Sequence, residues 1–128
     1  MRFLWVGVGG AIGSVARYWL SVTVMEMAGG TFPWGTLLVN IIGCSFIGWF
    51  GAFTVPGTRL AAGHPLRLFV MSGICGGFTT FSSFSYEALG LARNGEWLKA
   101  SAYVVASVIA CLVGVWLGYS GGSGWQSR

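Results

Sequence analysis

The side chains with chemistry to offer are neutral donors rather than acids, bases or nucleophiles. The densest group is Thr79-Thr80-Phe81-Ser82-Ser83-Phe84-Ser85, preceded by Gly76-Gly77-Phe78. Its hydroxyls can each donate one hydrogen bond. Phe81 and Phe84, three residues apart, share one side of a helix, and an aromatic ring turned edge-on is weakly positive. Asn40 adds an amide on a helix face that also carries Cys44 and Gly48, and Tyr103, Ser107 and Cys111 recur at intervals of four. Donors without a carboxylate suit an anion that must be held and then released. Each group also has a plainer use: phenylalanines at this spacing pack in cores or against lipid. Asn40 can serve as interhelical glue worth about 0.6 kcal/mol, and a helical serine often bonds only its own backbone one turn back. Spacing alone leaves both uses open.

Enzymatic and metal chemistry find little support. His64 stands alone in a linker, and no nucleophile has a base in a recognisable motif. Cys44, Cys75 and Cys111 lie in separate apolar segments without C-x-x-C spacing, so zinc and redox motifs are absent and packing is their expected role. Arg17 is different. A central arginine in an apolar helix costs roughly 2.5–3.5 kcal/mol, so it is expected either to anchor at the interface or to draw anions to a vestibule.

The elements that must position these residues are membrane helices. Of 128 residues, 55% are hydrophobic and 8% charged, with a mean hydropathy of +0.74, which excludes an ordinary soluble domain and a disordered chain. No nucleic-acid partner is expected despite the net charge of +4. The apolar start at Met1-Arg2 imitates a secretory signal but is expected to be a spanning helix, because no soluble mature domain follows. Four apolar segments, about 3–24, 34–55, 66–92 and 98–119, are each close to the 20 or so residues of a spanning helix. Glycine- and proline-bearing linkers separate them, and residues 120–128 read as a flexible Gly/Ser-rich tail. The third segment is expected to break at 76–80, where paired glycines meet β-branched threonines. Broken backbone at membrane depth must be buried in protein or line a wet cavity, so this segment marks a pore or ion site.

Four spans put both termini on one side, with Arg2, Arg59, Arg67 and Arg128; the other side carries Arg17, Arg93 and Lys99. Four positives against three is almost no bias. The expectation is a chain that inserts in both orientations and pairs antiparallel with itself.

Three motifs then carry a family resemblance: Gly9-Gly10-x-x-Gly13-x-x-x-Arg17-Tyr18, Gly35-Thr36-Leu37-x-Val39-Asn40-x-x-Gly43, and Gly73-x-x-Gly76-Gly77-Phe78-Thr79-Thr80-Phe81-Ser82-Ser83-Phe84-Ser85. In order and spacing the sequence resembles the Fluc (CrcB) fluoride channels. The resemblance implies an all-α membrane protein with four transmembrane helices, the third broken, assembled as an antiparallel dual-topology homodimer. It further implies a passive, fluoride-selective channel with two pores per dimer, in the inner membrane of a prokaryote, relieving fluoride toxicity by export. Phe81, Phe84, Asn40, Thr80 and Ser83 would belong to the fluoride pore, with Tyr103, Ser107 and Cys111 as its polar track and Arg17 in the vestibule. A structural sodium ion would be held at the dimer axis by backbone carbonyls of Gly76 and Thr79. Glu87 matches the acidic residue after the phenylalanines, its role open. Cys111 stands where a hydroxyl is expected, and a thiol is the weaker donor.

Fluoride is small, strongly hydrated and purely an acceptor, so replacing its water with neutral donors and ring edges is consistent with these residue types. The alternative within transport is a small dual-topology multidrug or cation exporter. Such a protein wants an acid inside the bundle, for which only Glu87 is embedded. A scaffold subunit would explain the glycine faces but not the Thr/Ser/Phe stretch.

Overall fold

Without water to satisfy it, backbone in an apolar setting pairs within its own helix. The computed structural model, which describes residues 1–55 and 64–126, accordingly has only helices as regular structure among them. These are α1 (Arg2–Ala28), α2 (Trp34–Ala52), α3 (Pro65–Arg67), a π-helical segment (Leu68–Cys75), α4 (Gly76–Phe78), α5 (Phe81–Arg93) and α6 (Trp97–Gln126). From α3 to α4 the chain runs as one rod. Among the described residues three stretches are long and apolar enough to cross a membrane: Trp34–Ala52, Pro65–Arg93 and Trp97–Gly124. The first helix, 27 residues long, has the length but not the apolarity, diluted by glycines, Arg17 and Glu26.

Local sequence sets the ends. Proline opens α3 with no N–H to waste, and the preceding His64 accepts the Leu66 N–H on Nδ1 at 3.2 Å. That gives the histidine a capping role. The turn from α5 to α6 closes by two crossed bonds, Glu96 N to Leu91 O at 2.9 Å and Gly95 N to Ala92 O at 3.0 Å. This Schellman arrangement needs the left-handed conformation that Gly95 adopts at φ 79°.

Glycines let the rods approach to backbone contact. A Cβ on Gly9 or Gly13 of α1 would overlap the carbonyls of Phe69 or Ile74, and one on Gly77 would overlap that of Gly10. Between α2 and α6 the same holds for Gly48 against Val115 and Gly118 against Ser45. Close approach of small-residue faces is the packing expected where lipid supplies no hydrophobic drive between helices. The buried core is small: Leu37, Phe84, Leu91, Ala100 and Tyr103. Many of the large apolar side chains, such as Val105, Ile109, Leu112 and Trp116 of α6, are instead exposed, the pattern of a protein whose surroundings are apolar.

The structure departs from several sequence expectations. Gly76 and Gly77 are helical, and the break is confined to Thr79 and Thr80 rather than spread over 76–80. The glycine at 77 serves close packing on α1, and the threonines take the extended backbone that β-branched residues favour. The tail expected to be loose from Ser120 continues α6 as far as Gln126, with Gly122 packed tightly on Ala52 and Trp49 of α2. The second helix ends at Ala52 rather than near Val55. The charge count included Arg59 and Arg128, which lie outside the described residues.

Candidate functional site

The break is held by one side chain. Thr79 (φ −83°, ψ 152°) and Thr80 (φ −148°, ψ 118°) are extended, so they leave the helical hydrogen-bond ladder. Asn40 replaces that ladder: its Nδ2 donates to the Thr80 carbonyl at 3.1 Å and its Oδ1 accepts from the Thr80 N–H at 2.8 Å. The amide thus pairs with Thr80 as a neighbouring strand would, answering the rule that buried backbone groups find partners. On either side, the Thr79 hydroxyl donates to the Cys75 carbonyl at 2.9 Å, and Thr80 Oγ1 caps α5 by accepting the Ser83 N–H at 3.2 Å.

Arg17 supports the same joint from α1. Its Nε donates to the Gly77 carbonyl at 3.1 Å, where the last turn of α4 has unpaired carbonyls and the negative end of its dipole. Half-buried and midway along α1, the guanidinium is a cap on the broken helix.

Beside the break lies a cleft of about 320 Å³. Asn40 and Cys44 come from α2, Ser107, Val108, Cys111 and Leu112 from α6, and Thr79, Thr80, Phe81 and Phe84 from the break and the start of α5. Among the described residues no charged side chain lines it. The Phe81 and Phe84 rings lie 5.3 Å apart at 51°, with Phe81 77% exposed and Phe84 buried against Tyr103 at 5.1 Å. The hydroxyl of Ser107 is buried and has no hydrogen-bond partner, not even the backbone one turn back. A donor in that condition is costly to leave idle, of order 1–3 kcal/mol, and an acceptor entering the cleft would satisfy it. Asn40 keeps its second N–H for the same use, because Thr80 takes only one.

Of the residues singled out in the sequence, Asn40, Thr79, Thr80, Phe81, Phe84, Ser107 and Cys111 meet in this cleft. Tyr103, Ser83, Arg17 and Gly76 do not line it. Tyr103 is fully buried and gives its hydroxyl to Glu87 Oε2 at 2.8 Å, while Thr36 donates to Oε1 at 2.7 Å. Glu87 is therefore the knot of a three-helix network joining α2, α5 and α6 behind the cleft. Thr36 and Cys44 were not expected to take part. Cys44 was legible from its place four residues after Asn40; nothing in the sequence paired Thr36 with Glu87.

Helical spans, one of them broken beside an uncharged donor-lined cleft, define a multi-pass membrane protein built for passage rather than reaction. The family model described as "CrcB-like protein, Camphor Resistance (CrcB)" matches residues 4–119, and the chain belongs to that family. It is 50% identical over 119 residues to the fluoride-specific ion channel FluC of Methylocella silvestris, covering 93% of this chain and 91% of the relative. The channel of the same name from Opitutus terrae is 50% identical over 125 residues, 98% of this chain and 95% of that one. That from Rhodospirillum rubrum is 51% identical over 121 residues, 94% of each. A family of ion channels places the chain outside the enzymes.

Proposed function

We propose that this protein is a fluoride-selective passive channel that exports fluoride from the cytoplasm across the inner membrane of a prokaryote. The observation that carries the proposal is the idle hydroxyl of Ser107, buried in a cleft that holds neutral donors and phenyl rings but no charge. Relatives named as fluoride-specific channels, about half identical over nearly their whole length, supply the ion. Fluoride entering the cleft would exchange water for the Ser107 hydroxyl, the spare N–H of Asn40 and the edges of Phe81 and Phe84. Each contact is individually weak, and the absence of a cation in the lining lets the ion leave.

The functional unit in this proposal is an antiparallel homodimer of chains inserted in both orientations, with α1 as the fourth span and one pore on each side. The exposed rings of Phe81 and the apolar face of α6 are the surfaces a second copy or lipid would cover. The residues at the break also fit a structural sodium ion. The Thr80 N–H, which would normally serve the Gly76 carbonyl, is given to Asn40, and the Ser83 N–H, which would serve that of Thr79, is given to Thr80 Oγ1. Both carbonyls are thereby released for a hard cation, which prefers oxygen ligands, and a second copy would double the set.

The test is Ser107→Ala in reconstituted liposomes, with Ser107→Thr as the control that keeps the hydroxyl. Fluoride efflux read by a fluoride electrode should fall about tenfold or more in the alanine variant, as the loss of one donor worth about 1.4 kcal/mol predicts, and persist in the threonine variant. Equal efflux from wild type and Ser107→Ala would remove the hydroxyl from the ion path.

A further inference from the structure

The cleft contains a second pair of groups that anion conduction does not use. Cys44 on α2 and Cys111 on α6 both line it. The helices are clamped one turn further on, where a Cβ on Gly48 would overlap the backbone of Val115. Cys44 and Cys111 each stand one turn before that contact, so backbone packing holds them in register, and both are free thiols, half-buried and lining the cleft.

We propose that Cys44 and Cys111 form a two-coordinate site for a soft d10 cation such as Cu(I), Ag(I) or Hg(II), and that its occupancy closes the cleft. Thiolates select such ions over the hard cations of the cytoplasm. With metal–sulfur bonds of about 2.3 Å, a linear bridge needs sulfurs roughly 4.6 Å apart, a span that two side chains one turn from touching backbones reach by rotation about χ1. The step is a proton exchange: two S–H bonds break, two S–metal bonds form, and both protons pass to solvent. No oxidant is needed. Asn40 and Ser107 lie one helical turn from Cys44 and Cys111, so the metal would stand among the donors assigned to fluoride. That last consequence rests on the channel function proposed above; the site itself does not.

Cys75, a third free thiol buried on the π-helical segment, must be removed from the test. Detergent-solubilised Cys75→Ala protein is treated with one equivalent of mercuric chloride, then excess glutathione, and weighed intact by mass spectrometry. The expected increment is one mercury less two protons with no glutathione attached, because both mercury valences are filled by the protein. Adding Cys44→Ala or Cys111→Ser should convert this to a mercury–glutathione adduct or to unmodified protein. A glutathione adduct on Cys75→Ala, or a bridge surviving in either double variant, overturns the pair. In liposomes, mercury should reduce fluoride efflux of Cys75→Ala at least tenfold, reversed by a dithiol. Full efflux with mercury retained overturns the closure. No fluoride efflux before mercury is added counts against the channel function, while the mass result still decides the site.

Discussion

Replacing Asn40 with alanine tests the joint on which the cleft depends. The Asn40 amide satisfies both polar groups of Thr80, at 2.8 and 3.1 Å, in a position where the helical ladder cannot. Leaving one such group unpaired costs about 1–3 kcal/mol, so two set an upper bound of about 6 kcal/mol. The adjoining cleft is large enough for a water molecule to rescue one of them, which brings the expected loss to about 1–3 kcal/mol. That is several times the average of about 0.6 kcal/mol for polar contacts between membrane helices, the value expected if Asn40 were mere glue. Reversible denaturation in mixed detergent measures the difference, and amide hydrogen exchange locates it, because the Thr80 N–H should lose protection while amides in the middle of α2 keep theirs. A loss under 1 kcal/mol with Thr80 still protected would refute the clamp.

Other variants separate packing from conduction. Gly13→Ala, which drives a Cβ into the Ile74 carbonyl, should destabilise by at least the 1–3 kcal/mol typical of overpacking; Gly7→Ala, with nothing within 4 Å, should be silent in the same denaturation series. Phe81→Ile should lower fluoride efflux with little change in stability, since the ring is exposed, whereas Phe84→Ile should lower both, since it is buried against Tyr103. Thr36→Val and Tyr103→Phe each remove one donor from Glu87, and a double-mutant cycle should show a coupling of about 0.5–3 kcal/mol. Additive losses would mean that Glu87 does not join the two.

Much of this was legible in the chain because lipid imposes simple rules. The lengths of the apolar runs gave α2 and α6, and the β-branched threonines after Gly76-Gly77 marked where the third span breaks. What misled was the glycine pair itself. Glycine at 77 reads as a helix breaker by propensity, yet it stays helical because Gly10 of α1 lies against it, and that contact cannot be seen until the helices are packed. The π-helical turn of Leu68–Cys75 has no proline or charge to announce it. Glycine content also made the C-terminal segment read as loose, although Gly122 gives α6 its close approach to α2. Asn40 was found by its position on a helix face, but its engagement with Thr80 depends on two segments forty residues apart. The Thr36, Glu87 and Tyr103 network was hidden for the same reason.

The most direct test of the central claim is ion efflux from liposomes reconstituted with the purified protein and loaded with either potassium fluoride or potassium chloride, with valinomycin to carry the balancing charge. Rapid release of fluoride with chloride retained, in the absence of a proton gradient or ATP, is the predicted result. Chloride released as fast as fluoride, or fluoride release that requires a proton gradient, would contradict it.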